Sequence, residues 1–281
     1  MKVKDVNSLK IAVFTDDFPG FQPVFDVCEG DSVEIGSPLM HDKNHPVMRI
    51  VSPICGRVKL ARRGNGCRVV VNANMRTSYL KYSLKRPFIE LLAKSGYLAQ
   101  IRRIDGSIPF PEDNLCNVVV LRTDVLLPDD AQMAMDPAMQ AFRANIKGNL
   151  YLPGDTIPAS DATAWVIDEF MLYKIGKLLL TGEIDSSTFV TVIGSEILKP
   201  MMIHTTVGSD IKAVLAGNLK DSRYRIRIIS ENIDVNEADG FIRYPYRNVK
   251  VVANNPVDEY KPTLRDKLKL LSARLLNFFS R

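Results

Sequence analysis

The sequence predicts an α+β protein built from several small modules. Residues 168–217 are typical of a helix followed by strand, turn, strand, glycine turn and short helix. Residues 25–58 are typical of short strands separated by glycine turns. Between these stretches, helical and strand-like apolar runs follow one another, so we expect an abbreviated α/β region there.

The stretch that begins at residue 168 carries the clearest helix signal. Met171, Ile175, Leu178 and Leu179 recur at the three- and four-residue spacing of one helix face. Gly182 follows, and glycine readily takes the left-handed conformation that ends a helix. We therefore predict a helix that ends at Gly182.

Two strands and a second helix are predicted after it. Residues 189–193 form a β-type run, and Pro200 interrupts the next one. Because proline has no N–H for a ladder, the second strand should lie at a sheet edge or begin anew after Pro200. A short helix over 211–216 comes next, with Ser209 or Asp210 as its N-cap. This order resembles a soluble-ligand-binding (SLBB-like) β-grasp module.

The N-terminal stretch resembles a biotinyl/lipoyl-like barrel-sandwich hybrid, whose turns need Gly30, Gly36 and Gly56. Such domains carry their cofactor on a lysine at a hairpin tip, which makes Lys43 the candidate. The predicted tip loop, 41–46, contains an added histidine and proline and lacks apolar residues beside Lys43. We therefore interpret Lys43 as an unmodified surface lysine, followed by a strand at 47–51.

The middle of the chain is predicted to be a shortened α/β region. Pro87 begins a helix over 88–95, which Gly96 ends. A buried strand is predicted over 117–123, and a Pro/Gly stretch over 144–161 separates it from the later helix. No Gly-x-Gly-x-x-Gly phosphate loop occurs in the sequence, so we expect no site for NADH or a flavin.

We predict four parts in the chain. They are a barrel-sandwich hybrid over 1–85, an abbreviated α/β middle domain over 86–183, a β-grasp module over 184–255 and an amphipathic terminal helix over 256–281. The helix separates two sets of side chains onto opposite faces: Leu264, Leu268, Leu271, Leu275 and Phe278 on one, and Arg265, Lys267, Lys269 and Arg274 on the other. Residues 262–281 could dock on their own domain or meet an anionic lipid surface or a membrane partner.

Bulk composition excludes several classes of protein. The chain has 281 residues, of which 46% are hydrophobic. No apolar run approaches the roughly 18–20 residues that span a bilayer, since Arg122 and Asp124 interrupt the best candidate. The first apolar run ends at Asp16, unlike that of a signal peptide, so a cytoplasmic location is expected. The net charge of +5 is dispersed among acidic residues, which argues against nucleic-acid binding.

No metal, disulfide or catalytic set is predicted. The four cysteines, Cys28, Cys55, Cys67 and Cys116, lack the close spacing of iron–sulfur ligands, and free thiols are expected in the cytoplasm. His41 and His45 lie four residues apart beside Asp42, but a proline-containing loop does not present them as a helix would. We interpret them as surface residues.

Two phrases in the correct order resemble the A subunit of the Na+-translocating NADH:quinone reductases, and more loosely the C subunit of the Rnf complex. They are the run 175–185, which leads directly into the β-grasp module, and the Glu-Gly-Asp-x-Val-x-x-Gly layout at 29–36, with Pro-x-x-Gly-x-Val at 53–58. The sequence departs from this family in its short middle domain and in the region after 262. It also lacks the cysteine spacing of the clusters in the Rnf protein.

The resemblance implies a peripheral cytoplasmic subunit beside the inner membrane, with the other subunits of the reductase as partners. The complex uses NADH, flavins and quinone, and this chain would bind none of its redox cofactors. Lys199 and Pro200 match a family position, and with His204 they are the candidate quinone- or ligand-binding residues. Alternatively, the pair serves strand-edge geometry alone, and His204 is a packed or edge histidine instead of a base.

A different class of function stays open beside this one. The chain could be a stand-alone ligand-binding or scaffold protein that has the two β modules and no redox role. The short middle domain favours that alternative. Membrane association and copurifying proteins would discriminate between the two.

Overall fold

The structure is a computed structural model of the chain. It describes residues 3–253, apart from positions 64–65, 75, 114, 116, 124, 126, 157–162, 221–225, 231–232, 235–239 and 245–247. The predicted terminal helix at 256–281, including the segment 262–281, lies outside the described residues.

Short strands dominate the chain, and four helices are described. The strands are β1 Val3–Asp5, β2 Lys10–Phe14, β3 Pro23–Phe25, β4 Ser32–Val33, β5 Pro38–Asp42, β6 Arg49–Val51, β7 Gly56–Arg63, β8 Gly66–Ala73, β9 Arg102–Arg103, β10 Val118–Leu121, β11 Leu150–Tyr151, β12 Trp165–Asp168, β13 Ser187–Ile193, β14 Met201–Thr206, β15 Ile226–Ser230, β16 Ile233–Asp234 and β17 Asn248–Ala253. The helices are α1 Phe88–Lys94, α2 Ala131–Asn145, α3 Glu169–Thr181 and α4 Ile211–Leu215, with 3-10 turns at Thr15–Asp17 and Leu98–Gln100. The α+β class is confirmed.

The N-terminal module consists of two small sheets, ordered β2-β8-β7-β4 and β3-β5-β6. Gly30 and Gly36 have φ values of 88° and 91°, as their predicted turns require. Gly56 is needed for a different reason, because a Cβ there would lie 2.0 Å from the carbonyl oxygen of Asn72 on the paired strand. The predicted barrel-sandwich layout is therefore present, with one glycine serving close packing.

The tip loop between β5 and β6 is shifted by two residues from the predicted 41–46 and covers 43–48. His41 and Asp42 belong to β5, and the following strand begins at Arg49 instead of residue 47. The buried Asp42 carboxylate accepts hydrogen bonds from the backbone N–H groups of Asn44 and His45, at 2.9 Å each. This side chain closes the turn, so the ladder extends as far as the His41–Arg49 pair.

The middle module is a four-stranded sheet, ordered β11-β10-β12-β9, with α2 and α3 packed against each other. The pairs β10–β11 and β10–β12 are parallel, which agrees with the predicted α/β region. Helix α2 was not predicted, because Pro137 lies inside it and proline usually ends a helix. Because Pro137 has no N–H, the Met133 carbonyl one turn earlier lacks its helical donor. Met133 is 67% exposed, so water can take the place of that donor.

The third module is a six-stranded sheet, ordered β1-β14-β13-β17-β15-β16. As predicted, β14 begins anew directly after Pro200, and the Asp210 side chain caps α4 by accepting from the Lys212 N–H at 2.8 Å. β14 is not an edge strand, because β1 pairs with it in parallel, with Val3 opposite Met202. The first strand of the chain therefore completes the β-grasp sheet, although its residues fall in the predicted 1–85 domain.

The modules share a continuous apolar core. One cluster of buried side chains runs from Ile11 in the N-terminal module through Trp165 in the middle module to Phe189 in the third. A second cluster, which includes Val190, lies within the β-grasp sheet and packs against α4. Among the described residues, no helix is long and apolar enough to span a membrane.

Candidate functional site

A small cavity lies where the three modules meet. It has a volume of about 50 Å³. Its walls combine the N-terminal module, the start of the middle module, α3 and the end of β14: Ala12, Val13, Asp17, Phe18, Ile50, Val51, Pro53, Gly96, Tyr97, Gln100, Lys174, Ile184, Asp185, Ser186, Val207, Gly208, Ile242 and Tyr244. A cavity that holds benzene is roughly 150 Å³, so this one has room for a few water molecules only.

Asp17 anchors one wall of the cavity. Its carboxylate accepts hydrogen bonds from Arg243 Nε at 2.6 Å and from the Tyr244 N–H at 3.1 Å, while its carbonyl accepts from Arg102 Nη2 at 3.0 Å. Burial raises the pKa of Asp17 to about 6, and the attraction of Arg243 only partly opposes that effect. Asp17 thus joins the 3-10 turn after β2 to the middle module and to residues 243–244.

Lys174 and Tyr97 form the opposite wall. Lys174 is 3% exposed, and its Nζ donates to the Ser187 carbonyl at 2.9 Å while lying 5.3 Å from the centre of the Phe170 ring. The Tyr97 hydroxyl donates to the Asp185 carbonyl at 3.2 Å and accepts from the Asp185 N–H at 2.7 Å. Burial raises the pKa of Tyr97 well above its ordinary value, so it stays a neutral hydrogen-bonding group.

Asp185 supplies the negative charge beside Lys174. Burial opposes ionisation of Asp185, but the charge of Lys174, the hydrogen bonds from Ser187 and the charge of Lys177 together outweigh burial and lower its pKa. Next to it, the Ser186 hydroxyl donates to the Pro53 carbonyl at 2.7 Å, across to the N-terminal module. These groups hold modules together, and the arrangement has no nucleophile with an adjacent base.

The sequence analysis did not single out the residues that line the cavity, although Lys174 carried a signal of its burial. Lys174 lies between Met171 and Leu178 on the apolar face of α3, where a charged residue must find a buried partner. Asp17 offered no such signal, because its partner Arg243 is 226 positions away. Only the folded chain brings these two residues together.

The predicted ligand residues do not line the cavity. Lys199 and Pro200 are exposed and precede β14, where both the N–H and the carbonyl of Lys199 are bonded to the Asn218 side chain. His204 lies four residues past Pro200, roughly 13 Å along the strand. Its Nδ1 lies 2.8 Å from Asp5 Oδ1, and its ring stacks on Phe189 with 4.8 Å between centroids. The three residues therefore do not form one compact site.

The hairpin tip is fixed to the middle module. The His45 ring stacks on Phe110 at a centroid distance of 4.3 Å, and its Nδ1 lies 2.6 Å from Glu112 Oε2. Lys43 is exposed, and its N–H donates to the Gln22 carbonyl at 2.8 Å. His41 instead pairs with Asp26. In the part of the chain that the structure describes, no group of three His, Cys, Asp or Glu side chains could hold a metal ion.

Comparison with known proteins identifies the N-terminal module. Residues 2–76 match the family described as the NqrA N-terminal barrel-sandwich hybrid domain, which agrees with the two sheets seen here. The chain resembles NqrA, the A subunit of the Na(+)-translocating NADH-quinone reductase. The likeness to NqrA that the sequence suggested is thereby confirmed.

The likeness extends beyond this first domain. NqrA of Pasteurella multocida is 22% identical over 280 residues, covering 80% of this chain and 63% of the relative. NqrA of Marinomonas sp. is 25% identical over 272 residues, covering 77% and 60%. NqrA of Haemophilus influenzae is 22% identical over 310 residues, covering 89% and 69%. The chain thus spans roughly three fifths to two thirds of the length of these NqrA relatives.

Proposed function

We propose that this protein is a peripheral cytoplasmic subunit, equivalent to NqrA, of a Na+-translocating NADH:quinone reductase. It would support electron transfer from NADH to quinone coupled to sodium export. The observation that carries the proposal is the match to NqrA over 80% of the chain, which is more than any one of the three modules contains. The partners are then the other subunits of the membrane-bound reductase.

Within such a complex, we assign the chain a role in assembly without a redox cofactor of its own. The sequence has no glycine-rich phosphate loop and no closely spaced cysteines. The cavity between the modules is smaller than a single aromatic ring requires. NADH, flavins and quinone would therefore bind chiefly to other subunits.

Contact with quinone at Lys199, Pro200 and His204 remains part of the proposal. The exposure of Lys199 and Pro200 supports contact with a partner-bound ligand rather than capture of a free one. His204 is less available, because it already pairs with Asp5 and stacks on Phe189.

Deletion of the gene in the native host tests the proposal. Membranes from the deletion strain should lose sodium-stimulated NADH:quinone reductase activity, and a plasmid copy of the full chain should restore it. A copy carrying Lys43→Arg should restore it equally, because Lys43 carries no cofactor in this account. Unchanged activity in the deletion strain would reject the role in the reductase and favour a stand-alone scaffold.

A further inference from the structure

One end of the β-grasp sheet lies at the far end of β13 and β14 from the cavity. We define the distal tip as residues 193–200 and 216–220. Backbone hydrogen bonds hold the two segments together: the Leu198 N–H donates to the Asn218 carbonyl at 2.8 Å, and the Lys220 N–H donates to the Glu196 carbonyl at 3.0 Å. The interdomain cavity lies at the opposite end of β13 and β14, roughly 20 Å away at the rise of a strand.

Apolar side chains are exposed at the distal tip. Leu198 is 58% exposed, Ile193 40% and Leu219 38%. Ile197, which bridges to Leu219, is buried at 3% and anchors this loop on the sheet. The exposed apolar side chains therefore sit on a fixed support.

Positive charge surrounds these apolar residues. Lys199 and Lys220 belong to the tip itself, and Lys250 pairs with Ile193 in the sheet. Lys4 also reaches the tip, since its Nζ donates to the Ala216 carbonyl at 3.3 Å. Within the two tip segments themselves, two lysines stand beside one acidic residue, Glu196.

We propose that the distal tip binds an anionic lipid surface. Exposed aliphatic residues flanked by lysines match the membrane interface, where apolar groups enter the headgroup layer and ammonium groups meet lipid phosphates. A specific protein interface needs roughly 20–30 residues on each side, and the two short tip segments provide fewer. The bonded segments hold these side chains in place before contact, so little order must be gained on binding.

Sedimentation of the full chain with vesicles tests this inference. Vesicles of pure phosphatidylcholine should bind little protein, and vesicles containing one third phosphatidylglycerol should bind it, with release at high salt. Leu198→Ser combined with Leu219→Ser, and separately Lys199→Glu, should each lower partitioning by about fivefold or more. Unfolding midpoints equal to wild type would show that the variants stay folded.

Two control variants match these changes elsewhere on the surface. Leu180→Ser removes a leucine that is 53% exposed on α3, and Lys43→Glu makes the same change in net charge at the hairpin tip. Both should bind vesicles as wild type does. Failure of wild type to bind, unaltered binding by the tip variants, or an equal loss in the controls would each overturn the proposal. None of these results bears on copurification with the reductase, so the two proposals fail separately.

Discussion

Asp17 shows how one buried carboxylate links two distant parts of the chain. Its pKa, raised from 3.8 to about 6, means that the folded state binds a proton more tightly than the unfolded state does. Between those two pH values the folded state therefore holds more protons, and this group's contribution to stability is lost as pH rises. Below pH 3.8 the contribution is fully present.

Asp17→Asn should remove this pH dependence. The free energy of unfolding of wild type, relative to the variant, should fall between about pH 4 and pH 6 by an amount on the order of 3 kcal/mol. Urea unfolding at a series of pH values measures it. Asp129→Asn, at an exposed residue of the middle module, is the control. Parallel profiles for wild type and Asp17→Asn would contradict the raised pKa.

Gly208 occupies a position where the backbone conformation and the space both require glycine. Its φ is 79°, and a Cβ there would lie 2.4 Å from the carbonyl oxygen of Ala12. Gly208→Val should therefore destabilise the protein through both backbone strain and a clash, by about 3 kcal/mol or more. Gly217, with φ 71° and open space around it, isolates the strain alone.

Gly217→Val should accordingly cost only about 1–2 kcal/mol. Thermal unfolding of both variants beside wild type gives the comparison. Equal losses for the two substitutions would show that the Ala12 carbonyl leaves room for a side chain at Gly208.

At the scale of elements, α2 and α3 approach each other closely at Gly176. A Cβ on Gly176 would lie 1.6 Å from the carbonyl oxygen of Ala134, so the backbones touch directly. Gly176→Ala should force the helices apart and lower the free energy of unfolding by about 3 kcal/mol or more. Leu180→Ala, at an exposed position of α3, should change it by well under about 1 kcal/mol. Chemical denaturation distinguishes these outcomes, and a mild effect of Gly176→Ala would argue against this packing.

The β5–β6 hairpin makes a prediction about modification. A carrier lysine needs a hairpin loop that is accessible to the modifying enzyme. Here the loop is held against the middle module, because His45 stacks on Phe110 and pairs with Glu112. We expect the protein purified from its native host to have an unmodified Lys43. Intact-mass spectrometry tests this prediction, and a mass increase equal to a biotinyl or lipoyl group on Lys43 would refute it.

The sequence predicted the ends of elements well where a single glycine or proline determines them. The end of α3 at Gly182, with φ 74°, and the start of β14 after Pro200 depend on the conformational limits of single residues. Helix α2 was missed because Pro137 broke its pattern and packing against α3 overrode that preference. The pairing of β1 with β14 joins residues about 200 positions apart, and no local pattern records it.

The same limit applies to the candidate site. The sequence singled out Lys199, Pro200 and His204, which the fold places along one strand and its preceding loop. The cavity groups come from separate modules, such as Asp17 from the first and Lys174 from α3. Their meeting depends on how modules pack, which spacing within any one segment cannot predict.

At the scale of the whole molecule, partly buried hydrogen bonds link the three modules. The Ser186 hydroxyl donates to the Pro53 carbonyl, the Asp185 N–H donates to the Tyr97 hydroxyl, and the Tyr244 hydroxyl donates to the Gln100 carbonyl. Breaking one of them would leave its partner at least partly unsatisfied, which costs stability. Modules joined in this way agree with the assembly role that we propose.

Affinity purification from the native host tests membership of the reductase most directly. The tagged full chain, recovered from membranes solubilised in mild detergent, should copurify with the other subunits of an NADH:quinone reductase in near-equal amounts. The copurified material should oxidise NADH with quinone as acceptor. Recovery of the chain alone, from membranes that contain an intact reductase, would contradict its membership of the complex.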